Sequence, residues 1–472
     1  MKKTKIVCTI GPSSCSYDVL RHLIEEGMNV ARFNLSHATH TFCHDTILKI
    51  RELESELGQV VGILFDTAGP IIRLGEMSEQ QVFLKQNSEV ILSGNICLGT
   101  SLKFSVNYKE IATDINLGSS IILSDGKVKL QVIKKDIEAC EVKCLVIDEG
   151  FIYSNRTVHI ESINYSLPYV SKKDKEDVTF AVKEHVDFLA LSYVRNRFDV
   201  LDITDLLIEL GDEHIAIISK IENEDAVNNV DDILNISDGI MVARGDLGVE
   251  MPLEKLPGIQ KQLLTKARLV NKVGIVATQM LGTMENDNQP TRAEVSDVYN
   301  AVVDGTDAVM LSGETTIGSF PVETVSIMER IVASAEEELD YYALLDEAIS
   351  NELQDMTTAI AYSVVDSAVR LNTSAIVAST TTGYTAKKIS RFRPICPIIA
   401  TSPCLDTVKS LTLHFGVYPV LVHELYATDD IVLSCKDEAR KIMDFTSGDN
   451  IIITGGFPAS YHNTNFMKIE IM

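Results

Sequence analysis

The chain has 472 residues, of which 45% are hydrophobic, and its formal net charge is −25 at pH 7. This length suggests about three domains, and no apolar run reaches the ~18 residues that a membrane-spanning helix needs. The negative charge disfavours binding to nucleic acid and to anionic membranes. A small anionic substrate remains compatible with it where cations cluster locally in a cleft.

The nine cysteines are scattered, and no two of them form a CxxC pair. Their odd number and spacing favour reduced thiols over a disulfide scaffold or a zinc site. The first twelve residues contain too short an apolar stretch for a secretory leader. We therefore expect a cytoplasmic protein.

Eight short apolar runs recur along the chain, with helical spacers between them. Runs that alternate with amphipathic helices indicate a parallel sheet, and eight of them predict a closed (β/α)8 TIM barrel within an α/β protein. The runs are 5–8, 29–33, 61–65, 188–192, 215–219, 239–243, 274–277 and 308–311.

Two regions break this rhythm, and each predicts a further domain. Residues 70–166 are rich in β-branched residues and turns, which indicates an inserted β domain that lies over the barrel mouth as a lid. Residues 345–472 have the pattern of an open-sheet α/β domain, with helices at 357–371 and 429–443 and strands at 375–378, 397–400, 418–422 and 450–454. The predicted barrel is therefore split into 1–69 and 167–340.

Residues 215–250 contain the clearest chemical signal. Lys220 and Glu222 end one apolar run two residues apart, so both side chains point the same way on a strand. Arg244 and Asp246 follow the next run, in a predicted glycine-containing loop. If the two strands are parallel neighbours, a cation and two carboxylates meet at their carboxyl ends, and the two acids suit a hard divalent cation.

Taken singly, these residues have structural alternatives. Glu222 and Asp246 are then helix-start or turn caps, and Lys220 a solvated strand-end lysine. The functional interpretation is favoured because polar groups also end the other predicted barrel strands, as at the top of a barrel enzyme. These groups are Arg32, Asn34, Ser36, Asp66, Thr67, Arg73, Arg195, Thr278, Gln279, Ser312 and Glu314.

The motifs that carry these residues resemble those of the pyruvate kinase family over nearly the whole chain. They are TKIVCTIGP at 4–12, MNVARFNLSH at 28–37, DTAGPIIR at 66–73, SKKD at 171–174, ISKIEN at 218–223, MVARGDLGVE at 241–250, ATQML at 277–281, PTRAEVSD at 290–297 and GTDAVMLSGET at 305–315. The resemblance, which is to the bacterial type without an amino-terminal extension, implies a barrel, a lid, a regulatory domain and a homotetramer. It also implies transfer of the phosphoryl group of phosphoenolpyruvate to ADP, which gives ATP and pyruvate in the final step of glycolysis.

The resemblance implies roles for individual residues. Catalysis is assigned to Arg32, Lys220, Thr278, Ser312 and Glu314. Substrate binding is assigned to Arg32, Lys220, Gly245, Asp246 and Thr278, and nucleotide binding to Asn34, His37, Arg73 and Lys173. The ligands of Mg²⁺ or Mn²⁺ are Glu222 and Asp246, and those of K⁺ are Asn34, Ser36, Asp66 and Thr67. Asp125 in the lid resembles a residue that meets the site on closure; a plain hairpin turn is its alternative.

Three residues depart from the family's pattern, namely Ala68, Ile71 and Tyr299. Relatives that need K⁺ tend to carry Glu where Ile71 stands, and relatives that do not need it tend to carry Lys. Ile71 cannot substitute for the ion, so we expect K⁺ stimulation.

A hydroxyl-rich glycine loop follows the predicted strand at 375–378. Free amides and a helix start favour an anion there. The alternative is a plain helix cap, for which one of these hydroxyls would be enough. The resemblance implies that this loop binds a phosphorylated effector, either a sugar phosphate or AMP. The loop comprises Thr380, Thr381, Thr382, Gly383, Tyr384 and Thr385.

Two other functions compete with phosphoryl transfer. One is a metabolite sensor without turnover, which the presence of Lys220, Glu222 and Asp246 disfavours. The other is an aldolase of the phosphoenolpyruvate-utilising group, which the inserted domain disfavours.

Overall fold

The computed structural model describes residues 1–124, 126–160, 166–349, 355–424, 427–456 and 464–472. The chain begins with three strands and two helices of a barrel. They are β1 (Lys5–Thr9), α1 (Tyr17–Glu25), β2 (Val30–Asn34), α2 (His40–Leu57) and β3 (Gly62–Asp66).

The region after β3 is built almost entirely of strands, as predicted from its β-branched composition. Its elements are β4 (Val82–Leu84), β5 (Glu89–Ser93), β6 (Lys103–Ser105), α3 (Ile111–Asp114), β7 (Ser120–Leu123), β8 (Val128–Asp136), β9 (Glu141–Asp148), β10 (Gly150–Ile152) and β11 (Val158–Ile160). Six of them form one sheet in the order β11-β7-β8-β9-β5-β6, and β10 pairs with β4. This region has a buried apolar cluster of its own.

The chain then returns to the barrel. The elements are α4 (Lys172–Lys183), β12 (Phe188–Leu191), α5 (Arg197–Glu209), β13 (Ala216–Ile221), α6 (Glu224–Asn228), α7 (Val230–Ile236), β14 (Gly239–Ala243), α8 (Arg244–Glu250), α9 (Leu256–Leu269), β15 (Val273–Ala277), α10 (Arg292–Val303), β16 (Ala308–Leu311), α11 (Gly313–Thr316), α12 (Pro321–Glu337) and α13 (Tyr341–Ile349), with short 3-10 helices at Leu253–Lys255 and Gly282–Glu285.

The eight barrel strands are parallel and close in the order β1-β16-β15-β14-β13-β12-β3-β2. Each predicted apolar run overlaps one of them, so the predicted fold class is confirmed. The side chains of β13 alternate between the two faces of the barrel wall. Ile217 and Ile221 pack outward under the helices, and Ile218 packs inside the barrel. Lys220 lies two residues after Ile218 and therefore faces inward as well.

The carboxyl-terminal part is an open sheet with helices. Its elements are α14 (Met356–Leu371), β17 (Ala375–Ser379), α15 (Tyr384–Arg391), β18 (Ile398–Ser402), α16 (Leu405–Ser410), β19 (Val417–Leu421), α17 (Thr428–Ile442), β20 (Asn450–Gly455) and β21 (Phe466–Ile471), with a 3-10 helix at Leu411–Leu413. The strand order is β19-β18-β17-β20-β21, and only β21 is antiparallel to its neighbour.

One local prediction was wrong, and one strand was missed. The segment that starts at Arg244 is the first turn of α8 and not a loop, because Leu247 is buried and anchors this short helix despite its two glycines. The edge strand β21 was not predicted, because Lys468 and Glu470 interrupt its apolar residues. The boundaries of the three predicted domains stay a prediction.

Candidate active site

A cavity of about 290 Å³ opens at the carboxyl ends of the barrel strands. Most of the predicted site residues line this cavity, and those that do come from six different strand ends. Those that do are Arg32, Asn34, Ser36, His37, Asp66, Arg73, Lys220, Glu222, Asp246, Thr278 and Ser312.

Lys220 is the centre of a buried ion cluster. Its Nζ lies 3.1 Å from Asp66 Oδ1 and 3.0 Å from Glu222 Oε1, and it donates to Ser192 Oγ at 2.8 Å. Arg32 lies on the other side of Asp66 and donates to Oδ2 from Nε at 2.8 Å and from Nη2 at 2.5 Å. Burial disfavours the charged form of Lys220, but the carboxylates of Asp66 and Glu222 outweigh it and raise its pKa above the ordinary value. Lys220 is therefore a fixed cation at every working pH.

Glu222 and Asp246 are joined through one tyrosine. The backbone N–H of Tyr193 donates to Glu222 Oε2 at 2.7 Å, and its hydroxyl donates to Asp246 Oδ1 at 3.1 Å. Burial, with Asp246 nearby, raises the pKa of Glu222 to about 7 against the opposing effect of Lys220. A cation shared by the two carboxylates would relieve this penalty.

The second oxygen of Glu222 supports the same conclusion. Glu222 Oε1 is buried and accepts no hydrogen bond within the described residues, since the nearby Lys220 ammonium is aimed at other partners. The described part of the chain contains no cluster of three or more His, Cys, Asp or Glu side chains that could hold a metal. Two carboxylates alone suit a hard divalent ion that takes its other ligands from substrate and water, so these residues fit the predicted ion.

The four predicted K⁺ ligands lie together, but not all of them reach the cavity. Asn34, Ser36 and Asp66 line it. Thr67 is buried beneath it, where its hydroxyl lies 3.4 Å from the carbonyl oxygen of Ala190. Asn34 Oδ1 accepts from the backbone of Ser36 at 3.0 Å, so the amide oxygen is held at the rim.

The first turn of α8 packs against the residue that follows β15. Gly245 donates its N–H to Thr278 Oγ1 at 2.8 Å, and a Cβ at position 245 would lie 3.3 Å from that oxygen. Thr278 and Gln279 have φ values of +69° and +55°, a left-handed backbone that costs free energy in non-glycine residues. This strained turn aims the Thr278 hydroxyl at Gly245. Arg244 secures the turn by donating to the Thr278 carbonyl at 2.6 Å.

Two further predicted residues lie outside the lining of this cavity, and a third is not described. Lys173 donates to the Leu35 carbonyl at 2.7 Å and contacts Asp177 at 2.5 Å, outside the cavity lining. Glu314 is buried and accepts from the backbone N–H of Ser312 at 2.7 Å, so its contact with the site is through that loop. Asp125 lies outside the described residues.

Two residues of the site were missed from the sequence. Ser192 donates to Asp66 Oδ1 at 3.0 Å, and Tyr193 bridges the acids from a backbone with φ +55°. The sequence feature that could have indicated both residues is the Ser-Tyr pair at the end of the apolar run 188–192. Arg195, the residue predicted from the end of that run, instead pairs its guanidinium with Asp199 at 2.8 Å.

A second cavity, of about 680 Å³, adjoins the first. The two share Arg32, Asn34, His37 and Ser312. The second differs in being lined mainly by apolar groups, which include Ile10, Pro12, Phe42 and Ile317.

Comparison with known proteins agrees with this geometry. The family profile for the pyruvate kinase barrel domain matches residues 1–325, and that for the pyruvate kinase alpha/beta domain matches residues 358–470. The chain belongs to the pyruvate kinase family. The predicted activity, a glycolytic phosphotransferase that uses phosphoenolpyruvate and ADP, is confirmed.

Individual relatives match along the full chain. Pyruvate kinases of Staphylococcus haemolyticus and Sporosarcina psychrophila are 44% and 43% identical, over 100% of this chain and 81% of each relative. A crystal structure of a pyruvate kinase from Cryptosporidium parvum is 36% identical, with a TM-score of 0.94, and the match covers 100% of this chain and 96% of that one. Among the described residues, no helix is long and apolar enough to cross a bilayer.

Proposed function

We propose that the 290 Å³ cavity is where phosphoryl transfer occurs, with Lys220 at the reacting centre. One observation carries this: two buried cations, Lys220 and Arg32, share the carboxylate of Asp66 and line one cavity with two further acids, Glu222 and Asp246, at the carboxyl ends of the barrel strands. Phosphoryl transfer depends on positioning and charge neutralisation more than on covalent chemistry. This group of side chains supplies both.

Arg32 and Arg73 bind phosphate oxygens in this proposal. A guanidinium can hold two oxygens at once, whereas Lys is a mobile point charge. Arg32 is held in place by Asp66 and by Thr9, whose hydroxyl accepts from Nη1 at 2.8 Å. Arg73 lies where the inserted region meets the barrel and donates to the Asn155 carbonyl at 3.0 Å. Lys220 then neutralises the phosphoryl group as it moves.

Glu222 and Asp246 hold the divalent cation, Mg²⁺ or Mn²⁺. The bound ion supplies Lewis acidity for phosphoryl and enolate oxygens. Tyr193 keeps the two acids in register through its backbone and its hydroxyl. Asn34, Ser36, Asp66 and Thr67 supply oxygen ligands for K⁺.

The substrate carboxylate lies at the first turn of α8 in this proposal. The Asp246 amide and the Thr278 hydroxyl supply donors, and Gly245 positions that hydroxyl by donating its own N–H to Thr278 Oγ1. Ser312 lines the same cavity, and Glu314 holds its backbone. We assign these two residues to delivery of the proton that converts the enolate to pyruvate.

The 680 Å³ cavity accepts ADP. Its apolar walls suit a purine, and the shared residues Arg32, Asn34 and His37 lie between that space and the phosphoryl site. We still assign Lys173 to the nucleotide side; its ammonium donates to the carbonyl of Leu35, the residue after Asn34.

Regulation and assembly follow from the family resemblance. We propose a homotetramer in the cytoplasm that is activated by a sugar phosphate or AMP at residues 380–385. α15 begins inside this loop, and Gly383 precedes it with φ +79° and no side-chain cap. Unmatched amides at such a helix start favour a phosphate.

The test is a coupled assay that follows pyruvate and ATP from phosphoenolpyruvate and ADP. Stoichiometric formation of both that depends on a divalent ion is expected. Tight binding without turnover would instead indicate a sensor, and carbon–carbon bond cleavage would indicate an aldolase. Glu222→Gln should abolish turnover, and Glu224→Gln, an exposed acid two residues on, is its matched control.

A further inference from the structure

A second group of cations lies at the opposite end of the barrel, where the strands begin and the carboxyl-terminal sheet packs against them. Its side chains enclose a cavity of about 10 Å³. The basic side chains that line it come from α9 and the turn after it, from α15 and the turn after it, and from the end of a 3-10 helix. They are Arg268, Lys272, Lys387, Arg391, Arg393 and His414.

Among the described residues that line the cavity, one carries a carboxylate, Asp307, and its oxygens are already used. Asp307 Oδ1 accepts from Arg393 Nη1 at 2.8 Å, and Oδ2 accepts from the backbone of Gly274 at 2.9 Å. Asp307 therefore neutralises one cation and has no further charge to offer the others.

The remaining cations have few counter-charges. Arg268 donates to Glu347 at 2.7 Å, and that carboxylate is more than half exposed. Lys272 and Lys387 form no ion pair with any described residue. Burial lowers the pKa of Lys387, against the opposing effect of the Asp238 carboxylate, and the neighbouring Lys272 lowers it as well. The cleft thus has an excess of positive charge in a protein whose net charge is strongly negative.

Two buried donors in this cleft have no partner. Arg268 Nη1 and Arg393 Nε make no hydrogen bond to any described residue, and these residues are only 7% and 3% exposed. Burying a polar nitrogen without a partner costs free energy. Two such guanidinium nitrogens, one from each side of one cleft, indicate a missing acceptor.

We propose that this cleft binds a tetrahedral oxyanion, a phosphate group, between the barrel and the carboxyl-terminal sheet. Guanidinium groups suit phosphate oxygens geometrically, and the two lysines add mobile charge. The cavity has room for about one oxygen atom, so one phosphate oxygen enters it. The others lie at the mouth, against the half-exposed ends of Lys272 and Lys387.

This site is separate from both phosphate sites of the proposed function. It lies at the amino ends of the barrel strands, whereas the active site lies at their carboxyl ends. It contacts α15 through Lys387 and residues after it, whereas the effector loop lies at the start of that helix. An anion here joins the barrel to the carboxyl-terminal sheet and stabilises their contact.

The test is calorimetric titration of the full-length protein with inorganic phosphate at constant ionic strength. Lys272→Met/Lys387→Met should weaken binding at one class of site by at least about tenfold. Without phosphate, the double variant should also melt at a higher temperature than wild type, because it removes two neighbouring positive charges that have no ion-pair partner among the described residues. The control is Lys261→Met, an exposed lysine of α9 outside the cleft, which should leave binding unchanged.

Two further measurements decide the location and the source of the phosphate. Diffraction from wild-type crystals soaked in selenate should show an anomalous peak between Arg268 and Arg393. If a hexose monophosphate binds the cleft more tightly than inorganic phosphate does, the bound phosphate group belongs to a metabolite. If inorganic phosphate binds more tightly, the ligand is the free ion. An unchanged phosphate isotherm in the folded double variant, or selenate only at the other two sites, would overturn the proposal.

Discussion

Replacing Lys220 with Met changes the charge at the proposed reacting centre and little else. The side chain keeps a similar length, but the ammonium that lies 3.1 Å from Asp66 Oδ1 and 3.0 Å from Glu222 Oε1 is lost. Removal of one preorganised charge-stabilising group typically costs about 10²–10³ in kcat. We expect at least this loss, because the missing charge is buried and acts on the phosphoryl group itself.

The fold should tolerate Lys220→Met. A buried carboxylate left without any partner costs about 3–5 kcal/mol, but Asp66 keeps Arg32 and the Ser192 hydroxyl, which donates at 3.0 Å. Glu222, whose pKa is raised to about 7, can take up a proton. A modest fall in melting temperature and a nearly unchanged KM for phosphoenolpyruvate are therefore expected.

Two reactions separate the possible roles of Lys220. Phosphoryl transfer is followed by the coupled assay, and enolisation by exchange of pyruvate methyl protons in deuterated water. Transfer should fall much more than exchange. Equal losses would assign Lys220 to proton delivery, and near-normal transfer would refute its role. Lys266→Met, which breaks an exposed ion pair with Asp231, is the control.

Four other predictions test separate parts of the molecule. Tyr193→Phe removes the hydroxyl that holds Asp246, so the Mg²⁺ concentration for half-maximal rate should rise roughly tenfold; an unchanged value would show that the hydroxyl does not orient the acid. Activity should rise with K⁺ because Ile71 provides no internal cation, and full activity in tetramethylammonium alone would contradict this. Thr382→Glu should abolish activation by sugar phosphates or AMP, seen as a loss of the shift in half-saturation by phosphoenolpyruvate; an activator that still works binds elsewhere. Burial lowers the pKa of Lys5 to about 7, so between pH 7 and 10.5 the unfolded chain binds more protons than the folded one. The free energy of unfolding of the wild type should therefore rise by up to about 1.4 kcal/mol per pH unit in this range. The denaturant midpoints of wild type and Lys5→Met should converge as pH rises, and a constant difference between the two midpoints would refute the low pKa.

The barrel and the centre of its site could be predicted because both depend on local patterns. A strand repeats every two residues, so the inward direction of Lys220 and Glu222 follows from their spacing alone. Parallel strands then bring Asp66 and Asp246 to the same end of the barrel. No long-range information was needed to place these four residues together.

Other features could not be predicted because they depend on pairings far apart in sequence. The Arg32–Asp66 pair joins residues on adjacent strands, and its effect on the pKa of Lys220 appears only in three dimensions. Tyr193 acts through a left-handed backbone that its residue type disfavours. The cleft near Arg393 joins segments about 125 residues apart, and no motif marks it.

The position of the inserted region also affects the order in which the chain folds. β3 and β12 are neighbours, with Asp66 opposite Ala190, yet the whole insert separates them, and β1 pairs with β16, the last barrel strand in the sequence. The ribosome therefore releases three barrel strands, then a unit with its own apolar cluster, and only later the five strands that complete the ring. We expect the insert to fold first, since domains fold as units during synthesis. Once folded, it brings the ends of β3 and β12 together, and the entropy cost of joining them becomes that of a short loop.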